Sequence, residues 1–190
     1  MAHIRYTSED DSPEIAAALA GSVALRGKVG SLHRAMAHAP KLVTGFEKFS
    51  ETIRKELPLG FDLFALVTLR TVQAQGDRYE WTRCLTIALN SGISLEKTRS
   101  LIDWASSEHF TDREKAALAI VDEHLLRRID GEPAALRAQA WLSEPEIVSV
   151  CAVMGWFLFC GALTMPLGLF ADDAAADLPV GIDEHRSAVE

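Results

Sequence analysis

The feature that most constrains this chain is a run of 25 residues, 147–171, without a single charged side chain. A run of that length is long enough to cross a membrane, and long enough to form the central helix of a helical core. Its flanks favour the core. They are acidic, with Glu144 and Glu146 before and Asp172 and Asp173 after, and they lack the Lys or Arg that would orient a span. Gly155, Gly161, Pro166 and Gly168 interrupt the run, and no second span accompanies it. The expectation is a buried central helix and no membrane partner.

A buried helix needs other helices to cover it, and helix signals recur along the chain while period-two alternation does not. Ser12-Pro13 sets a cap and a first-turn proline before an Ala/Leu-rich stretch. Leu42, Phe46, Phe49 and Ile53 recur at helical spacing and predict a helix over 41–56. Pro58-Leu59-Gly60 then turns the chain into a helix over 62–75 that is apolar almost all round, the pattern of a buried element. Asp77 opens another helix, closed by Asn90-Ser91-Gly92. Ser94 caps a short one containing Leu101 and Trp104. Thr111-Asp112-Arg113-Glu114 and Ser143-Glu144-Pro145-Glu146 are capping boxes, the first leading to about Arg128 and the second opening the apolar run. The sum is an all-α fold of about seven to nine helices in one domain over 1–190, with a core over 31–169, a polar N-terminal arm and an acidic C-terminal tail.

Composition narrows the function. At 48% apolar and 24% charged the chain has the make-up of a globular protein. Its net charge of −8 disfavours nucleic acid, whose phosphates need a basic surface. The polar start predicts no signal peptide. Cys84, Cys151 and Cys160 are far apart, form no C-x-x-C pair and show no zinc-ligand spacing, so reduced thiols in a cytoplasmic protein are expected. No glycine-rich phosphate loop or metal cluster occurs, so neither cofactor nor metal is expected.

One stretch is more specific. Residues 70–94 read RTVQAQGDRYEWTRCLTIALNSGIS. Leu69-Arg70, Tyr79-Glu80-Trp81 and Gly92-Ile93-Ser94 stand at the separations found in the core segment of the alkylhydroperoxidase D and carboxymuconolactone decarboxylase superfamily, which this segment resembles. There a helix ending in Leu-Arg precedes a C-x-x-C-x-x-x-H or Y-E-W-x-x-H helix. His38-Ala39-Pro40, Phe110-Thr111-Asp112-Arg113-Glu114 and Gly155-Trp156-Phe157 resemble further family landmarks, so the resemblance spans about residues 31–169. It implies a helical domain assembled as a homo-oligomer, dimer or higher, with pockets near subunit contacts and the apolar helix contributing to the interface. The departures are as informative. The family histidine falls on Cys84, its two redox cysteines on Asp77 and Glu80, and its glutamate on Ala65.

The candidate catalytic residues are therefore Glu80, Cys84 and Tyr79. Arg70, Asp77, Trp81, Arg83 and Asp62 are candidates for contact with a small-molecule substrate. Each has a structural reading beside the functional one. Asp77 and Glu80 form a capping arrangement, in which the helix dipole would lower the Glu80 pKa. Cys84, one turn after Glu80 on the same face, fits a small packing residue or a nucleophile. Arg70, alone in an apolar helix, requires a partner, for which Glu80 and Asp62 are the candidates. Asp62 reads as a helix cap or as a displaced substitute for the carboxylate missing at Ala65. Trp81 reads as core or subunit interface. Cys151 and Cys160 read as small core residues. Three functions follow: proton transfer on a small carboxylated or carbonyl substrate, of lyase, isomerase or decarboxylase type; a catalytically silent oligomeric binding protein; and a thiol peroxidase using Cys84.

Overall fold

A computed structural model describes residues 2–127, 131–170 and 179–182. Among them are nine α-helices and no strand: α1 (Pro13–Arg26), α2 (Ser31–Met36), α3 (Pro40–Lys55), α4 (Phe61–Gln75), α5 (Arg78–Asn90), α6 (Leu95–Arg99), α7 (Asp112–Leu126), α8 (Ala134–Arg137) and α9 (Glu144–Thr164). Single 3₁₀ turns follow α6 and α8. The expected helix end near Arg128 lies outside the described residues, as does the acidic tail after Asp172 apart from 179–182.

The helix starts are fixed by local chemistry. Ser12 accepts the Ile15 amide at 3.2 Å ahead of Pro13. Thr111–Glu114 and Ser143–Glu146 close reciprocal capping boxes at α7 and α9. α4 differs from expectation. Gly60 occupies its cap position without a side-chain bond, and Asp62 is an exposed first-turn residue, so the reading of Asp62 as a cap is corrected. The tight Pro58-Leu59-Gly60 turn delivers the chain in helical conformation one residue earlier than the polar residue indicates.

α4 is the centre of the molecule. It packs against α9, α7 and α5, and Leu63 and residues 65–72 are all buried. α9 is long and apolar enough to cross a membrane by length and composition, and half of its most apolar window is buried against the rest of the protein. Its inner face carries Val153, Trp156, Phe157 and Cys160. Its outer face is open. The expectation of full burial is thus corrected for that face, and Cys151 is exposed where a core residue was expected, because no described element covers that side of the helix.

Arg70 is the one charged side chain in the buried part of α4, and its partner is neither Glu80 nor Asp62. It forms a two-pronged ion pair with Asp122 of α7, at 2.6 Å through Nε and 2.9 Å through Nη2. Nη1 donates to Gln73 at 2.8 Å. The Trp104 indole donates to the same Asp122 at 3.1 Å. Both members of the pair are almost fully buried, so removing one leaves an uncompensated charge in the core. We expect Asp122→Ala to cost about 3–5 kcal/mol of stability, read as a lowered midpoint of denaturant unfolding. Replacing both members with apolar residues of similar volume should recover much of the loss.

Candidate active site

α4 ends at Gly76, whose left-handed φ of 76° permits the sharp turn into α5. The next residue, Asp77, is buried and tied in three directions. Its amide donates to Val72 O at 3.0 Å. One carboxylate oxygen accepts the Glu80 amide at 3.2 Å, and the other accepts the Thr164 hydroxyl of α9 at 2.8 Å. Asp77 therefore caps α5 as expected, but the capping arrangement is one-sided. The backbone amide that Glu80 would cap is already given to Val72, and the Glu80 carboxyl turns elsewhere.

It turns into a cluster of ionisable groups. Glu80 is 4% exposed. Its Oε2 accepts the Cys84 thiol at 3.8 Å, and its Oε1 lies 3.5 Å from Arg83 Nη1. The Arg83 guanidinium stands over the Tyr79 ring, 5.5 Å from its centroid. Tyr79 is buried, and its hydroxyl accepts from Ser31 of α2 at 3.4 Å. Arg54 of α3 and Cys160 of α9 are near enough to bear electrostatically on the same groups. Arg54, Cys160, Thr164 and Ser31 were not among the candidates read from sequence. Thr164 had a signal, because a hydroxyl in an uncharged buried helix must find a partner. Arg54 had none, since only the packing of α3 brings it close.

Electrostatics reverses one expectation. Burial pushes the Glu80 carboxyl above its ordinary value of 4.5, with Arg83 opposing and Asp77 reinforcing the rise. The helix dipole contributes about 0.3–1 kcal/mol towards the anion, whereas burying a charge costs several, and one contact at 3.5 Å does not restore the balance. Burial likewise raises Cys84 well above the ordinary thiol value, and the Glu80 carboxylate adds to it. Cys160 moves up for the same reasons, and Asp77 is raised by burial against its bond from Thr164. At neutral pH Cys84 is a thiol, the poorly nucleophilic form.

The remaining candidates are placed elsewhere. Arg70 is committed to Asp122. Asp62 is exposed at the start of α4. Trp81 is buried with its indole donating to Val180 O at 3.1 Å. Beside the cluster, a cleft of about 490 Å³ is lined by Asp77, Tyr79 and Thr82 of α5 and by Thr164, Met165 and Phe170 at the end of α9.

Residues 40–123 match the profile of the carboxymuconolactone decarboxylase family, a segment that runs from the start of α3 through Glu123 of α7 and includes the whole α5 cluster. That segment is similar to the carboxymuconolactone decarboxylase family, and the helical fold is that of AhpD-like proteins. No curated protein matches the sequence significantly. Among solved structures, the chain shares its fold with a cysteine-to-alanine variant of the debrominase Bmp8 in complex with 2,3,4-tribromopyrrole, at 16% identity and a TM-score of 0.75 over 92% of this chain and 95% of that one. An uncharacterised peroxidase-related protein with the alkylhydroperoxidase AhpD core from Ralstonia eutropha JMP134 superposes at 13% identity and a TM-score of 0.72, over 90% and 93% of the two chains. A peroxidase-related protein from Silicibacter sp. TM1040 gives 12% and 0.71 over 90% and 92%. At these identities the likeness is one of fold.

Two outcomes follow from the shifted groups. The folded chain holds the Glu80 proton more tightly than the unfolded chain, so its contribution to stability is complete below the ordinary value of 4.5 and is lost as pH rises through the folded value. Asp77 acts in the same direction. The unfolding free energy of Glu80→Gln should therefore decline less steeply than that of the wild type as pH rises from 4 towards neutrality. Cys84 should alkylate at pH 7 at least about tenfold more slowly than free N-acetylcysteine, one pKa unit being a factor of ten in thiolate, as read by peptide mass spectrometry.

Proposed function

We propose that this protein catalyses proton transfer on a small carboxylated or carbonyl compound, a reaction of lyase, isomerase or decarboxylase type, with Glu80 as the acid–base group. The observation that carries the reading is the buried Glu80 carboxyl, its pKa raised by burial and its oxygens held between the Cys84 thiol at 3.8 Å and the Arg83 guanidinium at 3.5 Å. A general acid–base group works best when its pKa lies near the operating pH, and a carboxyl raised by burial among specific partners is a mark of functional sites. Arg83, partly exposed and braced by Tyr79, supplies positive charge for a substrate carboxylate or a developing enolate. Asp77 and Tyr79 border the neighbouring cleft, which is large enough for a small organic molecule.

A thiol reaction at Cys84 is the second reading. It is favoured by the nearness of Cys160 to the cluster and by the shared fold with a debrominase whose ligand complex was obtained with a cysteine variant. Its obstacle is the raised Cys84 pKa. A silent binding protein would keep the cleft and turn nothing over.

Solvent deuterium exchange into small lactones and keto acids, followed by NMR, separates these readings. Proton transfer predicts enzyme-dependent exchange that falls by about 10²–10⁴-fold in Glu80→Gln and persists in Cys84→Ser. Loss in Cys84→Ser with retention in Glu80→Gln would transfer the chemistry to the thiol. Binding of these compounds without exchange in the wild type would leave the silent reading.

A further inference from the structure

Four tryptophans occur in the chain, and the fold uses them unequally. Trp81 and Trp156 are almost fully buried, whereas Trp141 is 51% exposed and Trp104 is only partly buried. The two exposed ones stand together. They line a cavity of about 360 Å³ between α7, α8 and the 3₁₀ turns after α6 and α8. None of its lining residues is shared with the cleft beside Glu80.

The cavity exists because its floor is made of alanines. Ala116 and Ala119 are three positions apart on α7, and Ala134 and Ala138 are four apart along α8 and its turn, so each pair lies on one helical face. A leucine at any of these positions would fill space that the chain leaves open. The Trp104 wall is fixed, since its indole donates to Asp122 at 3.1 Å and Asp122 is held in turn by Arg70. Trp141 is held through its backbone. Its amide donates to Ala138 O at 2.9 Å, and its carbonyl accepts from Arg113 at 3.3 Å. Two aromatic walls over a floor of small apolar residues, held in place by the chain itself, suit a planar ring.

Charge defines the rest of the ligand. Lys115 and Arg137 line the same cavity. Lys115 Nζ donates to Ala105 O at 3.2 Å, and Arg137 donates to Glu132 O. Both acceptors are neutral carbonyls, and among the described residues neither cation pairs with a carboxylate. Against them stands Asp112, exposed one turn before Lys115. Two cations against one carboxylate leave the cavity net positive in a chain of net charge −8. A second pocket of about 300 Å³ shares Trp104, Ala119 and Arg137 but carries Asp103, Asp122 and Glu123. An anion is thus favoured at the Lys115 end and disfavoured beyond Arg137.

We propose that this cavity binds a small planar aromatic carboxylate, with its ring against Trp104 and Trp141 and its charge at Lys115 and Arg137. A volume of about 360 Å³ suits one bicyclic ring system. The ligand rests, through Trp104, on the buried Arg70–Asp122 pair that joins α7 to α4.

Titration with 2-naphthoate tests the site, read by calorimetry and by fluorine NMR of protein labelled with 5-fluorotryptophan. One naphthoate should bind per chain with a Kd below about 1 mM. It should shift the Trp104 and Trp141 resonances and leave those of Trp81 and Trp156 in place. The neutral isostere 2-naphthamide should bind at least about tenfold more weakly, as should naphthoate to Arg137→Gln or Lys115→Met, since a hydrogen bond to a charged group is worth that factor. Ala116→Leu should abolish binding with unchanged helical circular dichroism. Should that variant fail to fold, the two charge variants, at solvent-accessible side chains, carry the test. Absence of saturable binding would overturn the proposal. Equal affinities for naphthoate and naphthamide would mean apolar adsorption and overturn it too. Binding that shifts neither Trp104 nor Trp141 would place the ligand elsewhere, the Glu80 cleft included, with the same consequence.

Discussion

Asp77 stands where three helices meet, and the site depends on how it is bound. Its amide closes the end of α4, one carboxylate oxygen starts α5, and the other takes the Thr164 hydroxyl of α9. A helix cap contributes about 1 kcal/mol, and a buried hydrogen bond to a charged group about 1.5–3. The larger consequence is geometric. Because the Asp77 amide is satisfied by Val72, Glu80 has no capping task, and its side chain is left to face the interior.

What Glu80 becomes there follows from competing magnitudes. A carboxylate in the first turn of a helix gains modestly from the dipole. The same carboxylate removed from water loses several times as much unless it is well paired, and Arg83 at 3.5 Å is a loose partner. The outcome is a carboxyl held towards its neutral form beside a thiol held in its neutral form. That pairing suits the movement of a proton better than the attack of a thiolate.

The scaffold and its chemistry are separable in this fold. The positions on which the redox cysteines fall in sequence are Asp77 and Glu80, the histidine position is Cys84, and the position of the family glutamate is Ala65, buried within α4. A debrominase and peroxidase-related proteins share the same arrangement of helices at 12–16% identity. The fold supplies a helix start at the edge of a cleft, and the side chains placed there decide what is done with it.

The helices were legible because their determinants are local. The capping boxes at Thr111 and Ser143, the proline after Ser12 and the apolar periodicity of α3 and α4 act within a few residues of themselves. So was the alignment of Glu80 over Cys84, which is helical spacing alone. The partner of Arg70 was not legible, because Asp122 lies 52 positions away and only the packing of α7 on α4 brings them together. Nor was the side of α9 left uncovered, since an uncharged run looks the same whether one face or both are buried. The direction of the Glu80 shift was decided by tertiary structure for the same reason. The helix dipole is a property of sequence-local geometry, whereas desolvation depends on how much protein the other helices place around the carboxyl.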